Sequence, residues 1–221
     1  MTGYLYVATR FNRFRENLRL TDAQRTDGIT KHTGVRSWLN SHYYGTSSGY
    51  DNSSLVGSWG KSTEIRPPRD IDVLFALPWS VHERYERRPY GTNKQSELLQ
   101  EIKTVLQRTY TTTQMRADGQ VVVVPFASYA VEVVPAFALM SGKYWICNTH
   151  DGGSYKETDP VAEQNKVRAS NDATVGHTRS NSNDEVLAGL LQRPAELLPH
   201  RTARHRLSGR LALRRQEYCI L

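Results

Sequence analysis

Three acids stand where chemistry could be done: Asp70 and Asp72 in the run DIDVLFAL, and Glu132 in YAVEVVPAF. In a strand, alternate side chains share a face, so Asp70 and Asp72 point one way while Ile71 and Val73 face a buried side. Two carboxylates this close repel each other unless a cation lies between them. Magnesium accepts such oxygen ligands and keeps other positions for water and substrate phosphates. Glu132, flanked by Val131 and Val133, would add a third carboxylate if its strand lay beside the first. Three acids around two divalent ions suit in-line phosphoryl or nucleotidyl transfer, one ion activating the attacking hydroxyl and the other steadying the triphosphate. Taken singly, each acid also fits a solvated strand position.

Gly57 and Ser58 precede the acids by about a dozen residues. Glycine lets backbone amides approach an anion closely, and the serine hydroxyl adds a donor for phosphates. Thr63 follows them, then the D-I-D run, then the acid-bearing apolar strand. The string GKST within this stretch invites assignment as a P-loop, which requires G-x-x-x-x-G-K-[ST]. Leu55 stands where the first glycine would be, and the string precedes a strand where a P-loop opens a helix. A P-loop is therefore rejected.

The elements that must position these residues follow from periodicity. Asp22 to His42 carries Ala23, Ile29, Val35, Trp38 and Leu39 near helical spacing, with Gly28 and Gly34 as weak points. YYGTSSGYDNSS reads as a loop. DIDVLFAL reads as a strand closed by Pro78, and residues 79–92 as polar and irregular. From Asn93 to Tyr110 a stripe of Leu98, Leu99, Ile102, Val105 and Leu106 predicts a helix. Strands are predicted over 121–126 and 129–137. The alternation gives an α/β (α+β) fold with a mixed sheet.

Composition bounds the rest. The chain has 221 residues, 38% of them hydrophobic and 23% charged, as in a folded globular protein. No run approaches the ~20 apolar residues of a membrane-spanning helix. The amino terminus lacks an apolar h-region, and Cys147 and Cys219 show no pairing spacing, so a reduced cytoplasmic chain with no membrane association is expected. The net charge of +7 favours anionic partners. Residues 176–221 hold eight arginines against four acids and leave a body of only +3, too sparse for a nucleic-acid groove.

GSWGKSTEIRPPRDIDVLF resembles the nucleotidyltransferase signature G-S-x-x-x-x-T-x-I-x-x-x-x-D-I-D-V-L. VEVVPAF, then Gly142, Tyr144 and GGSYKETDP, is similar to the segment after the third acid in the bacterial CD-NTases, the SMODS-type relatives of cyclic GMP-AMP synthase. The resemblance covers roughly residues 8–174. It implies a polymerase-β-like nucleotidyltransferase core joined to a helical lobe. It implies template-independent joining of nucleoside triphosphates, with release of pyrophosphate, into a cyclic di- or oligonucleotide that serves anti-phage defence. Asp70, Asp72 and Glu132 would hold Mg2+ or Mn2+, and Gly57 and Ser58 would contact the triphosphate. Tyr155 would either stack on a base or pack. Cys147-Asn148-Thr149 replaces the family's frequent Pro-Asp-Thr. No template nucleic acid is expected, and an unidentified regulatory protein partner stays open. Transfer of one nucleotide to a small molecule, a protein or an RNA end stays open, as does a non-catalytic remnant that binds nucleotides or nothing.

After Ala173 the family's long helix, with its phosphate-holding lysine and serine, is missing. An arginine-rich stretch lacking Lys, Trp and Phe stands in its place. Codons chosen for Gly176 onward and read one nucleotide later permit a string similar to that helix, lysine and serine included. A one-nucleotide frameshift near Thr174–Val175 is therefore expected, with 1–174 the catalytic core and 175–221 an out-of-frame tail that leaves the helical lobe incomplete. The alternative is an ordinary basic tail. The frameshift would leave apolar surface uncovered and the chain poorly stable.

Overall fold

The period-two runs around the acids form strands of one seven-stranded sheet in the computed structural model, which describes residues 2–89 and 91–174. The strands are β1 Ser53–Leu55, β2 Asp70–Ala76, β3 Arg116–Asp118, β4 Val121–Pro125, β5 Ala130–Ala138, β6 Tyr144–Asn148 and β7 Ser154–Thr158. They run in the order β1-β2-β5-β4-β3, and β6 joins β5 to β7. Only β2 and β5 pair in parallel, so the sheet is mixed, as expected. Among the described residues no helix is long and apolar enough to cross a membrane.

Among the described residues six helices accompany the sheet: α1 Thr2–Leu18, α2 Asp22–Tyr44, α3 Gly57–Gly60, α4 Trp79–Glu86, α5 Lys94–Gln107 and α6 Pro160–Thr174. Residues up to Arg168 cluster as one unit, and of a second unit only 169–174 are described. Residues 175–221, with the expected tail, lie outside the described residues.

Helix α2 starts at a capping box, Thr21 with Gln24, and ends at Gly45 in the left-handed conformation (φ 69°). Its Gly28 is required by contact rather than by conformation: a Cβ there would lie 2.6 Å from the Trp59 ring. Arg36 is buried and donates to Ser53 Oγ at 2.6 Å, Tyr50 O at 2.9 Å and Ser53 O at 3.0 Å. Asn40 donates to Ser48 O at 2.9 Å and Asp51 O at 2.8 Å. These two buried polar side chains hold the glycine- and serine-rich loop against the helix, each one's desolvation offset by its bonds.

Residues Ile71, Val73 and Phe75 of β2, with Val131, Val133 and Phe137 of β5, form one face of the sheet and are all buried. Val35 and Leu39 of α2 and the predicted α5 stripe pack on them in one core. Fully burying each such side chain contributes about 1.5–3 kcal/mol. The opposite face therefore carries the even-numbered residues of β2 and β5, the acids among them.

The structure departs from the expected elements in several places, and α3, β3 and α6 are further elements that periodicity did not predict. Residues 79–92 are not irregular throughout, because Val81 and Tyr85 lie one helical turn apart and both are buried, which makes α4. The surrounding His82, Glu83 and Arg84 mask so short a stripe. The stretch expected as loop contributes the end of α2 and the strand β1, antiparallel to β2. Strands β6 and β7 follow β5 as an antiparallel meander. Helix α1 exposes Tyr6, Val7, Phe11 and Phe14, so these apolar residues mark no core-facing stripe.

Candidate active site

Parallel pairing of β2 with β5 sets Asp70 beside Ala130 and Asp72 beside Glu132. One carboxylate oxygen from each of Asp70, Asp72 and Glu132 lies within 4.8 Å of the others. The three predicted acids thus form one cluster on the face away from α2 and α5. Burial raises the Asp72 carboxyl above its usual value, and the neighbouring Asp70 raises it further. Burial, then Asp72 and Asp70, raises Glu132 likewise. Lys61 and Arg116 oppose these shifts without cancelling them. Such uncompensated negative charge, made of hard oxygen donors, fits a divalent cation.

Gly57 and Ser58 open the single turn α3, packed beside β2. Gly57 has φ 57°, in the left-handed region, and a Cβ there would overlap the Asp72 carboxylate, lying only 2.8 Å from its Cγ. Only glycine meets both demands. The first N–H groups of such a turn have no acceptor within the helix and stand free for an anion. After α3, Thr63 donates its N–H to Ser58 O at 2.9 Å, closing the loop. No helix follows the GKST string; the chain runs on into β2.

Two cations that sequence reasoning missed adjoin the acids. Lys61 pairs with Glu163 of α6 at 2.6 Å, and Gln164 donates to Leu55 O at 3.0 Å, so the first turn of α6 straps the loop before β2. Its place one turn after Gly57 was the available signal. Arg116 shares the acids' face through β4, a relation that only strand register reveals.

Tyr155 lies elsewhere. It pairs with Cys147 and shares the helix-covered face, stacked on Trp145 at 5.8 Å and near His82 (5.4 Å) and Phe137 (5.7 Å). The structure does not bring it to the acids, and a packing role fits this placement. Tyr155 is half-buried, so Tyr155→Ala is expected to cost less than the ~3–5 kcal/mol of a fully buried aromatic, read as a lowered melting temperature. Tyr155→Phe is expected to leave nucleotide affinity unchanged, and a several-fold loss of affinity would return the residue to the nucleotide site.

A mixed sheet bearing three clustered carboxylates beside a glycine-serine turn defines a polymerase-β-like nucleotidyltransferase fold. The sequence profile of the Second Messenger Oligonucleotide or Dinucleotide Synthetase domain, SMODS, matches residues 5–171, and the chain belongs to this bacterial CD-NTase family. Among solved structures, the CdnC:HORMA-deltaN complex of E. coli MS115-1 is similar, with TM-score 0.52 and 18% identity over 75% of this chain and 50% of that one. CdnC of the same strain with ATP gives TM-score 0.50 and 19% identity over 73% of this chain and 50% of that one. The Bradyrhizobium diazoefficiens CD-NTase CdnG in complex with GTP gives TM-score 0.50 and 12% identity over 76% of this chain and 52% of that one. At such identities the likeness is one of fold. The chain spans about half the length of these solved relatives. No curated protein matches it in sequence.

Proposed function

We propose that the chain joins nucleoside triphosphates without a template, releasing pyrophosphate, into a cyclic di- or oligonucleotide that signals in anti-phage defence. The observation that carries this reading is the register pair Asp72–Glu132, which with Asp70 makes a three-carboxylate cluster against Gly57. Asp70, Asp72 and Glu132 would hold Mg2+ or Mn2+, and a bound divalent ion would stabilise charge on the phosphates and acidify the attacking hydroxyl. Gly57 and Ser58 would bind the triphosphate through backbone amides and the hydroxyl. Residues 1–174 would be the catalytic core and 175–221 the altered tail. The relatives solved with ATP and GTP support nucleoside triphosphates as substrates, and the relative solved with HORMA-deltaN supports a regulatory protein partner. A cytoplasmic site of action goes with these substrates.

The test is incubation of the purified chain with labelled ATP, GTP, CTP and UTP plus Mg2+ or Mn2+, then phosphatase treatment. A phosphatase-resistant product, absent with the Asp70→Ala/Asp72→Ala variant, is expected. A product ending on a protein, RNA or small molecule would replace the cyclase reading with single nucleotide transfer.

A further inference from the structure

We propose that Arg116 holds the phosphates of the acceptor nucleotide, which lies across β4 with its ribose hydroxyl over Glu132. The proposal rests on the nucleotidyltransferase reading above and adds the placement of its second substrate. Strand register gives the geometry. Arg116 pairs with Val123, Val123 with Glu132, and Glu132 with Asp72, so four residues form one row on one face across four strands. Strands stand about 4.8 Å apart, so the Arg116 and Glu132 backbones are separated by roughly 10 Å. That span is comparable to the reach from a ribose hydroxyl to its own 5′-phosphates.

The order along the row decides which substrate Arg116 meets. Gly57 touches Asp72, so the donor triphosphate belongs at the β2 end. In an in-line displacement the attacking oxygen and the leaving group stand on opposite sides of the phosphorus. With pyrophosphate leaving toward Gly57 and Ser58, the hydroxyl arrives from the side of β5 and β4. Val123 is half-buried on that face between Glu132 and Arg116, and offers an apolar floor to a ribose. Arg116 is exposed and has no ion-pair partner among the described residues. A planar guanidinium binds phosphate oxygens in pairs, which a point charge does not.

The step balances as nucleotidyl transfer. The acceptor hydroxyl oxygen bonds to the donor α-phosphorus, the bond from that phosphorus to the bridging oxygen breaks, pyrophosphate leaves, and the hydroxyl proton goes to solvent. The two substrates can be separated chemically. A 2′,3′-dideoxynucleoside triphosphate has no acceptor hydroxyl and serves only as donor. An α,β-methylene nucleoside triphosphate cannot be cleaved at that position and serves only as acceptor. Formation of the linear product would be measured for the full chain and for Arg116→Ala and Arg116→Lys, across the four bases. Arg116→Ala is expected to raise the acceptor KM about tenfold, the worth of one charge-assisted hydrogen bond, with Arg116→Lys intermediate. Donor KM, and the KM of an acceptor nucleoside lacking 5′-phosphates, should not move. An equal rise for both acceptors, or no rise, overturns the proposal while the enzymatic reading stands. Absence of any linear product from the parent chain would overturn both.

Discussion

Asp72→Asn is expected to lower nucleotide incorporation on the order of 1,000-fold. A carboxylate lost from a metal clamp forfeits several kcal/mol of transition-state charge stabilisation, and about 1.4 kcal/mol is worth a factor of ten. The same variant should melt higher than the parent when no divalent ion is present. Burial, then Asp70, raises the folded-state carboxyl of Asp72 above its ordinary 3.8. The folded chain therefore binds that proton more tightly than the unfolded chain does. The resulting stabilisation is present below pH 3.8 and is lost as pH rises through the raised folded value. At neutral pH the metal-free parent bears the full repulsion and the asparagine variant does not. Melting curves with chelator across pH 3–8 should show the two converging at the acid end, and adding Mn2+ should raise the parent selectively. Activity within tenfold of the parent, or a lower melting temperature in chelator, would count against Asp72 as a metal ligand.

Gly57→Ala is the second large effect. The left-handed backbone costs a non-glycine residue roughly 1–2 kcal/mol, and the new methyl must also push the Asp72 carboxylate aside. A displacement of about 1 Å at reacting groups can cost on the order of 100-fold in rate, so at least that loss is expected. Gly45→Ala is the matched control. Gly45 has φ 69° but nothing within 4 Å of a Cβ, so it takes the conformational penalty alone and should keep full activity. Equal activity losses in the two variants would mean that backbone strain, not contact with Asp72, is what matters.

The carboxylate cluster was legible because two simple periodicities coincide. D-x-D puts two acids on one strand face, and an acid between two valines marks a second strand of the same kind. Only the pairing of the two strands had to be supplied, and β2 against β5 supplies it. Long amphipathic helices were legible for a similar reason, as α5 shows with its stripe of five buried residues. What escaped depends on neighbours that local pattern does not contain. Gly28 argued against a continuous α2, yet it is there because Trp59 packs against it. Tyr155 lies in a segment that suggested nucleotide contact, but its parity with Trp145 and Phe137 turns it to the other face. Arg116 lies in a three-residue strand too short for any period, and gains its position only through two successive hairpin registers. Short elements and cross-strand rows are tertiary facts, and only pairing partners reveal them.

The parallel pairing of β2 with β5 has a kinetic side. Asp72 and Glu132 are 60 positions apart in the chain, and α4, α5, β3 and β4 must be threaded between them. Closing so long a loop gives nothing back until the strands meet, so such contacts form late. A chain that has built its helices but not its central strand pair holds Asp70 and Asp72 without their third partner. Divalent ions would then bind the finished sheet and not its precursors, slowing the chain's unfolding while leaving its rate of folding untouched.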